Sequence, residues 1–399
     1  NTVRDVFVRD RLKGTTVRIS VGPGGEQGNA RSENPAISAD GRFVAFESLA
    51  TNLVPGTARP EEELRAALAS ASTTAQWSGQ PRGSVPEEVV AQLSRSNVYV
   101  RDVARGATAL VSVALDGRVG DLSSVDAAIS ADGRFVAFAS AATTLVARDT
   151  NAVKSAFDSP ATLMGLGGVD IFLRDRKQGT TSRISPRSDG AEADVNSSKP
   201  SVSPDGRWVA FVSAGDLETG GARRLHLHDR KRRQTREVAL DYPVSTGLSF
   251  HLSAASFSAN SRWMAVASEF YSLTPSPSGV GPDERGPRVV RFWLYDVSSG
   301  KLDQVWERFR NSGQPWPPAI TDGGVLMGVG AQTDYGPQAL FLYDIAAGKE
   351  LPVSPGPVPE GAFRFSPALS ADGQTLSFSS TGGTDPEGPP IFQVYAQRL

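Results

Sequence analysis

Apolar and polar residues alternate along this chain in short stretches, and one such stretch occurs six times. Residues 37–46 (ISADGRFVAF) return unchanged at 129–138, and variants of the same pattern begin at positions 202, 257, 320 and 369. In most copies two apolar runs flank an Asp-Gly pair. Because glycine adopts the positive φ that tight turns require, each copy predicts a β-hairpin of two strands, a and b.

A second pattern lies between these copies. Residues 5–20 (DVFVRDRLKGTTVRIS) have relatives that begin at positions 97, 170, 224, 291 and 339. Each contains an alternating strand that ends in Asp, and in five of the six copies a Gly follows four residues later. An Asp that opens a turn and a Gly that closes it predict a second hairpin, of strands c and d. In the fourth copy Arg233 replaces the glycine.

Six four-stranded units in series predict an all-β fold, a six-bladed β-propeller of four-stranded antiparallel blades. The chain begins with a c–d pair and ends with an a–b pair and a c-like strand at 391–395. We therefore expect the N-terminal strands to join the C-terminal blade and close the ring. One c strand is left over, so either residues 5–10 or residues 391–395 lie outermost. Residues 1–399 are then a single propeller domain with loop insertions at about 57–96 and 141–169.

Composition narrows the functional classes. With 41 Lys and Arg against 43 Asp and Glu, the net charge of −2 provides no global positive field for nucleic acid. The absence of cysteine excludes disulfides, thiolate nucleophiles and Cys-ligated metals. Only three histidines are present, and no apolar run is long enough to span a bilayer. We expect no nucleic-acid partner, no membrane span and no cofactor, and we expect a monomer.

The motifs ISADGRFVAF and DVFVRDRLKGTTVRIS together resemble the TolB-like (WD40-like) β-propeller repeat of bacterial envelope and secreted proteins. The resemblance covers nearly the whole chain. It implies a periplasmic or secreted location, with a signal peptide removed, and a role in protein docking. In related repeats the b–c loop reads NLVxGDTNGxxD, whereas here residues 52–56 and 145–151 lead into insertions.

The surplus length of the chain lies in loops. Successive a–b turns are on average about 66 residues apart, against roughly 40–45 in a compact propeller blade. The excess falls in b–c and d–a loops, which share one face of a propeller, and residues 60–70 and 86–93 within it predict two short helices. Because long insertions on a rigid scaffold usually bind partners, we expect this face to recognise a protein. Its candidate aromatic anchors are Trp77, Tyr271 and Trp316.

One position of the repeat is expected to approach the mouth of the central channel. It lies three residues before the first apolar residue of each hairpin copy. Its occupants are Asn34, Asp126, Lys199, Ala254, Pro317 and Ser366. A catalytic metal on the axis would need a ring of His or carboxylate ligands, and this mixed ring argues against one. We take Asn34, Asp126, Lys199 and Ser366 as candidate binding residues.

Two weaker features leave a metal site open. His226 and His228 share one side of a strand, a spacing that suits a metal, but they occupy a column filled elsewhere by aromatic and Arg residues, which favours a structural role. Asp149 and Asn151 are the remnant of a loop that would suit a structural calcium ion, although no defined calcium motif surrounds them.

These observations predict a non-enzymatic binding scaffold of the bacterial envelope or secreted space that recognises a protein partner. The alternative is a carbohydrate-binding propeller, or a glycan-active lyase or hydrolase with its site at the channel mouth. That alternative requires a cluster of carboxylates or other acid–base residues at the mouth.

Overall fold

The computed structural model describes residues 3–57, 95–147, 149, 168–185, 195–214, 223–241, 248–272, 288–310, 317–330, 339–351, 364–369, 375–382 and 391–398. All regular elements within these residues are β-strands, which confirms the all-β class. The two helices expected at 60–70 and 86–93 lie outside the described residues. No helix of the described chain has the length and hydropathy to cross a bilayer.

The first of two compact units comprises the described residues within Asn1–Val202, Ser213–Gly221 and His228–Thr235. Its first two strands form a two-stranded sheet and the next eight form two antiparallel sheets, in the orders β3-β4-β5-β6 and β7-β8-β9-β10. The bounds are β1 Phe7–Asp10, β2 Thr15–Arg18, β3 Ser32–Ile37, β4 Phe43–Ser48, β5 Asn97–Asp102, β6 Ala107–Leu110, β7 Ser124–Ile129, β8 Phe135–Ser140, β9 Asp170–Asp175 and β10 Thr180–Arg183. We call β3–β6 sheet 1 and β7–β10 sheet 2.

A third four-stranded sheet has the order β11-β12-β13-β14. Its strands are β11 Ser197–Val202, β12 Trp208–Ser213, β13 Arg224–Asp229 and β14 Gln234–Val238. Each of these three four-stranded sheets therefore joins one a–b hairpin to the c–d hairpin that follows it, as the two alternating motifs predict.

The second unit comprises the described residues within Ser203–Val212, Ala222–Leu227 and Arg236–Leu399. It contains a five-stranded sheet, β15-β17-β18-β19 with β16 paired to β17, the four-stranded sheet β20–β23, and the three-stranded sheet β24–β26. The bounds are β15 Leu248–Leu252, β16 Ser256–Phe257, β17 Trp263–Ser272, β18 Arg288–Asp296, β19 Leu302–Arg310, β20 Ala319–Ile320, β21 Val325–Gly330, β22 Ala339–Asp344, β23 Lys349–Leu351, β24 Arg364–Leu369, β25 Thr375–Gly382 and β26 Ile391–Arg398.

The described strands form six sheets of three or more strands, in agreement with six repeats. The C-terminal strand β26 pairs with β25 and takes the c position of the last sheet. The N-terminal strands β1 and β2 pair with each other in a sheet of their own. The number of blades, the closure of a ring and the single domain stay predictions.

The a–b turns owe their shape to a serine and the turn aspartate. In the first copy Ser38 Oγ donates to Asp40 Oδ1 over 2.5 Å and accepts from the amide of Phe43 over 2.9 Å. Asp40 Oδ1 also accepts from the Arg42 amide, and Gly41 has a φ of 69°. The same serine contacts recur at Ser130, Ser203 and Ser258. The turn aspartates therefore serve the turn.

The two faces of sheet 1 pack against different neighbours. On one face Phe46 and Tyr99 stack with their ring centroids 5.9 Å apart, in a cluster that includes Val6 and Ile19 beside the N-terminal hairpin. The other face, which carries Val98, packs with residues of sheet 2. Face-to-face packing of twisted four-stranded sheets is the packing found in propellers.

Candidate functional site

Three candidate residues from the sequence lie at irregular points of the a strands. Asn34, Asp126 and Lys199 have φ values of 50°, 57° and 55°, in the left-handed region that residues other than glycine seldom adopt. The pairing of β3 with β4 shifts register between Glu33 and Ala36, and the pairing of β7 with β8 shifts at the equivalent place. Such bulges redirect side chains, and strained positions of this kind concentrate at functional sites.

A buried glutamate connects these bulges. Glu47, in β4, is 6% exposed. Its Oε1 accepts from Asn34 Nδ2 over 2.6 Å, and its Oε2 accepts from the backbone amide of Asp126 over 2.9 Å. Asp126 Oδ2 in turn accepts from the backbone amide of Lys199 over 3.4 Å. We call these four residues the bulge cluster.

Burial determines the ionisation of the two acids. The pKa of Glu47 is raised to about 7, chiefly by burial and also by the nearby charges of Asp126 and Glu33, against the opposing hydrogen bonds from the Asp126 amide and Asn34. Burial also raises the pKa of Asp126, while the amide and the positive charge of Lys199 lower it. Glu47, with its pKa of about 7, can therefore gain and lose a proton near neutral pH beside a second carboxyl whose pKa is also raised.

Glu47 was absent from the residues that the sequence indicated. The signal is a departure from the repeat, because the equivalent positions of the next three b strands carry Ala139, Val212 and Ala267. An acid at a position that is otherwise small or apolar, within a buried strand, is unexpected unless it has partners.

The other indicated residues lie elsewhere along the chain. Ala254 and Pro317 lie in the second unit, Ser366 lies in β24 and Tyr271 in β17, where its backbone pairs with Ser249. The positions outside the described residues are Trp77, Asn151 and Trp316. Asp149 Oδ1 is 3.5 Å from Arg183 Nη1, so it takes part in an ion pair. The suggested calcium ion and the wider set of binding residues stay predictions.

The two histidines occupy packed positions. His226 stacks on Phe211 with centroids 5.1 Å apart. His228 Nδ1 is 2.9 Å from the Thr235 hydroxyl, and burial lowers its pKa to about 4. Within the described residues no three His, Asp or Glu side chains are grouped so that they would hold one metal ion.

No protein-family model matches the sequence, and no curated protein matches it. The fold is similar to TolB from Acinetobacter baumannii, at 11% identity over 87% of this chain and 61% of TolB, with a TM-score of 0.41. It is similar to an oligogalacturonate lyase solved with manganese, at 13% identity over 99% of this chain and 83% of the lyase, with a TM-score of 0.54. It is also similar to Porphyromonas gingivalis dipeptidyl peptidase 4, at 16% identity over 99% of this chain and 49% of the peptidase, with a TM-score of 0.48.

This chain spans less than two thirds of the TolB and peptidase chains. The similarities agree with the TolB-like β-propeller that the repeats predict, and at these identities they concern the fold alone. They also correct one expectation. The prediction of a non-enzymatic protein is wrong, because the fold is shared with the oligogalacturonate lyase. The scarcity of histidine and the absence of cysteine do not exclude catalysis by carboxyl groups. The bulge cluster contains two such groups, those of Glu47 and Asp126.

Proposed function

We propose that the chain is an enzyme that cleaves a glycan by acid–base catalysis at the bulge cluster. The observation that carries the proposal is the pair of neighbouring carboxyls of Glu47, which is buried and has a pKa of about 7, and Asp126, which is partly exposed. Carboxylates that lie close together are one of the features that the glycan-active alternative requires, and this pair supports it.

Glu47 and Asp126 have different roles in the proposed catalysis. A carboxyl with a pKa near neutral pH is protonated often enough to donate to a leaving oxygen and ionised often enough to accept a proton. Glu47 meets this condition and serves as the proton donor. Asp126 is the second carboxyl, and Lys199 favours its ionised form. Carboxyl pairs whose environments differ in this way are the usual machinery for breaking glycosidic bonds.

The more exposed members of the bulge cluster contact the substrate. Asn34 is exposed and holds Glu47 through its amide nitrogen, while Asp126 and Lys199 are partly exposed. An amide and an ammonium group offer hydrogen bonds to sugar hydroxyls and a charge for an acidic substituent. The oligogalacturonate lyase among the similar structures supports a glycan as the class of substrate.

The test is cleavage of a panel of neutral and uronate-containing polysaccharides by the whole chain. New reducing ends report bond cleavage, and ultraviolet absorbance of an unsaturated uronate separates elimination from hydrolysis. We expect Glu47→Gln and Asp126→Asn each to lower the rate by about 10²–10⁴-fold, the usual contribution of one acid–base group. The activity should also fall as the pH rises above about 7, because Glu47 then loses its proton.

The control is Glu33→Gln, which removes an acid of the same bulge that influences the pKa of Glu47 only through its charge and makes the smallest of the contributions to it. It should retain at least half of the wild-type rate. Wild-type rates in Glu47→Gln, or equal losses in Glu47→Gln and Glu33→Gln, would refute the proposal. Failure of the chain to cleave any member of the panel would count against it as well.

A second role, docking of a protein partner in the bacterial envelope or secreted space, is compatible with an enzyme. The feature that favours it is the loop length between β4 and β5 and between β17 and β18. Residues 58–94 and 273–287 of these loops lie outside the described part of the chain. This role and this location rest on the sequence and on the TolB-like repeat.

A further inference from the structure

A cleft lies among the hairpin turns of the first unit, between the turns of sheet 1 and those of sheet 2. Its volume is about 560 Å³. Phe43, Gly133 and the carboxylates of Asp102 and Asp132 contribute to its walls. Its five cationic lining residues are Arg42, Arg105, Arg134, Arg176 and Lys177.

Two of the five cations are already neutralised. Arg42 binds Asp102 through Nε and Nη2, with its shortest contact 2.8 Å long. Arg134 binds Asp175 in the same two-point manner, at 3.0 and 2.7 Å. These paired guanidinium groups stabilise the hairpin turns and leave little charge for a ligand.

Both carboxylates of the cleft are also occupied. Asp102 accepts the two contacts from Arg42. Asp132 Oδ1 accepts from Ser130 Oγ over 2.6 Å and from the amide of Arg134 over 3.0 Å. The acids of the cleft therefore hold the turns, and although their charges also act on Arg176, the five cations of the lining outnumber these two carboxylates.

The remaining cations have no close carboxylate partner of their own. Arg105 Nη1 is 3.9 Å from Asp102, which Arg42 already binds. Among the described residues, Arg176 and Lys177 form no ion pair. Arg176 is partly buried and Lys177 is exposed. A guanidinium retains its charge in proteins, so Arg176 keeps a positive charge in this position.

Arg176 is also held in a fixed orientation. Its guanidinium lies 4.6 Å from the centroid of Phe43, whose ring is 4.8 Å from Arg42 as well, and it donates to the carbonyl of Gly133. Arg42 and Arg176 therefore both lie on the ring of Phe43. Because Arg42 is neutralised by Asp102, Arg176 is the one of the two that remains available to a ligand. A fixed planar guanidinium beside an exposed ammonium is an arrangement suited to oxyanions.

We propose that this cleft binds a small polyanion that carries at least two carboxylate, sulfate or phosphate groups. Arg176 binds one group through its remaining N–H donors, and Lys177 and Arg105 bind the second. The cleft is lined by the hairpin turns and contains no residue of the bulge cluster, so this inference does not rest on the proposed function.

The experiment is calorimetric titration of the whole chain at low salt with tripolyphosphate and with digalacturonic acid, and with maltose as an uncharged probe. We expect binding of one or both anions and none of maltose. The anion that binds more tightly shows whether the cleft prefers phosphate or carboxylate groups. The double variant Arg176→Gln with Lys177→Gln should weaken binding at least about tenfold, because it removes two charge-assisted contacts.

The matched control is Arg11→Gln with Lys13→Gln, an equal change of charge on the equivalent turn of the N-terminal hairpin, outside the cleft. It should retain nearly wild-type affinity. Lys177→Gln alone should weaken binding several-fold, and because Lys177 is exposed and unpaired, this variant should fold normally. Equal losses in the two double variants, or no binding of either anion, would overturn the proposal.

Discussion

Sheets 1 and 2 contain the same ten residues in their a–b hairpins, and where these residues are shared the two sheets have the same structure. Arg42 binds Asp102 in sheet 1 as Arg134 binds Asp175 in sheet 2. The buried aromatic pairs also match, with centroids 5.9 Å apart in sheet 1 and 5.8 Å apart in sheet 2. The shared residues therefore form the scaffold.

The sheets differ at single positions next to the shared residues. After the common hairpin, sheet 1 has Glu47 where sheet 2 has Ala139, and only the glutamate connects neighbouring bulges. After the c-strand aspartate, sheet 1 has Val103 where sheet 2 has Arg176, and only the arginine stacks on Phe43 of the neighbouring sheet. Glu47 departs from the repeat, whereas the position of Arg176 also carries arginine at Arg11 and Arg230, and Arg230 stacks on Phe135 in the same way.

The largest expected effect tests the equivalence of the two cores. Phe46→Ala and Phe138→Ala remove fully buried rings at equivalent positions, and each should lower the free energy of unfolding by about 3–5 kcal/mol. Urea denaturation of each variant measures the loss. Because the two rings have matching partners, the losses should agree within about 1 kcal/mol, the scatter expected from local relaxation. A much larger gap would show that the shared hairpins are not equivalent units.

A smaller effect separates two glycines that the sequence makes identical. Gly41 and Gly133 have φ values of 69° and 70°, so alanine at either should cost about 1–2 kcal/mol for the left-handed backbone. A Cβ on Gly133 would lie 2.2 Å from a ring carbon of Phe43, whereas a Cβ on Gly41 would meet nothing within 4 Å. Gly133→Ala should therefore cost about 1–3 kcal/mol more than Gly41→Ala, the usual penalty for overpacking.

Thermal or urea unfolding of these two alanine variants supplies the measurement. Equal losses would mean that the ring of Phe43 moves aside freely. That result would also weaken the case that Phe43 holds Arg176 in a fixed orientation, because Arg176 packs on the same ring.

The sequence predicts the parts of this molecule that repeat. Turn residues such as Asp40 and Gly41, and the alternation of Val98 with Tyr99, follow from local preferences and from period-two patterning. These local signals were enough to predict the strands and the two hairpin types.

The candidate sites depend on contacts that local signals do not contain. The Glu47 carboxylate reaches the amide of Asp126, 79 residues away, because register shifts move the bulges of two sheets into contact. Arg176 reaches Phe43 because the two sheets pack side by side. Nothing in the sequence near Glu47 or Arg176 specifies these neighbours, although Glu47 is visible as a departure from the repeat.

The last test concerns the pH dependence of stability. Sheet 1 has a titrating residue, Glu47, at the position where sheet 2 has Ala139. The pKa of Glu47 is about 7 in the folded chain, above its ordinary value of 4.5, so the fold favours the protonated form. Its stabilising contribution is complete below pH 4.5 and is lost as the pH rises through about 7. Relative to Glu47→Gln, the wild type should therefore lose about 2–3 kcal/mol of unfolding free energy across this interval. Urea denaturation of both proteins between these pH values measures the difference. A constant difference would mean that folding leaves the pKa of Glu47 near its ordinary value of 4.5, so that the group is ionised at neutral pH, and it would remove the acid that the proposed chemistry needs.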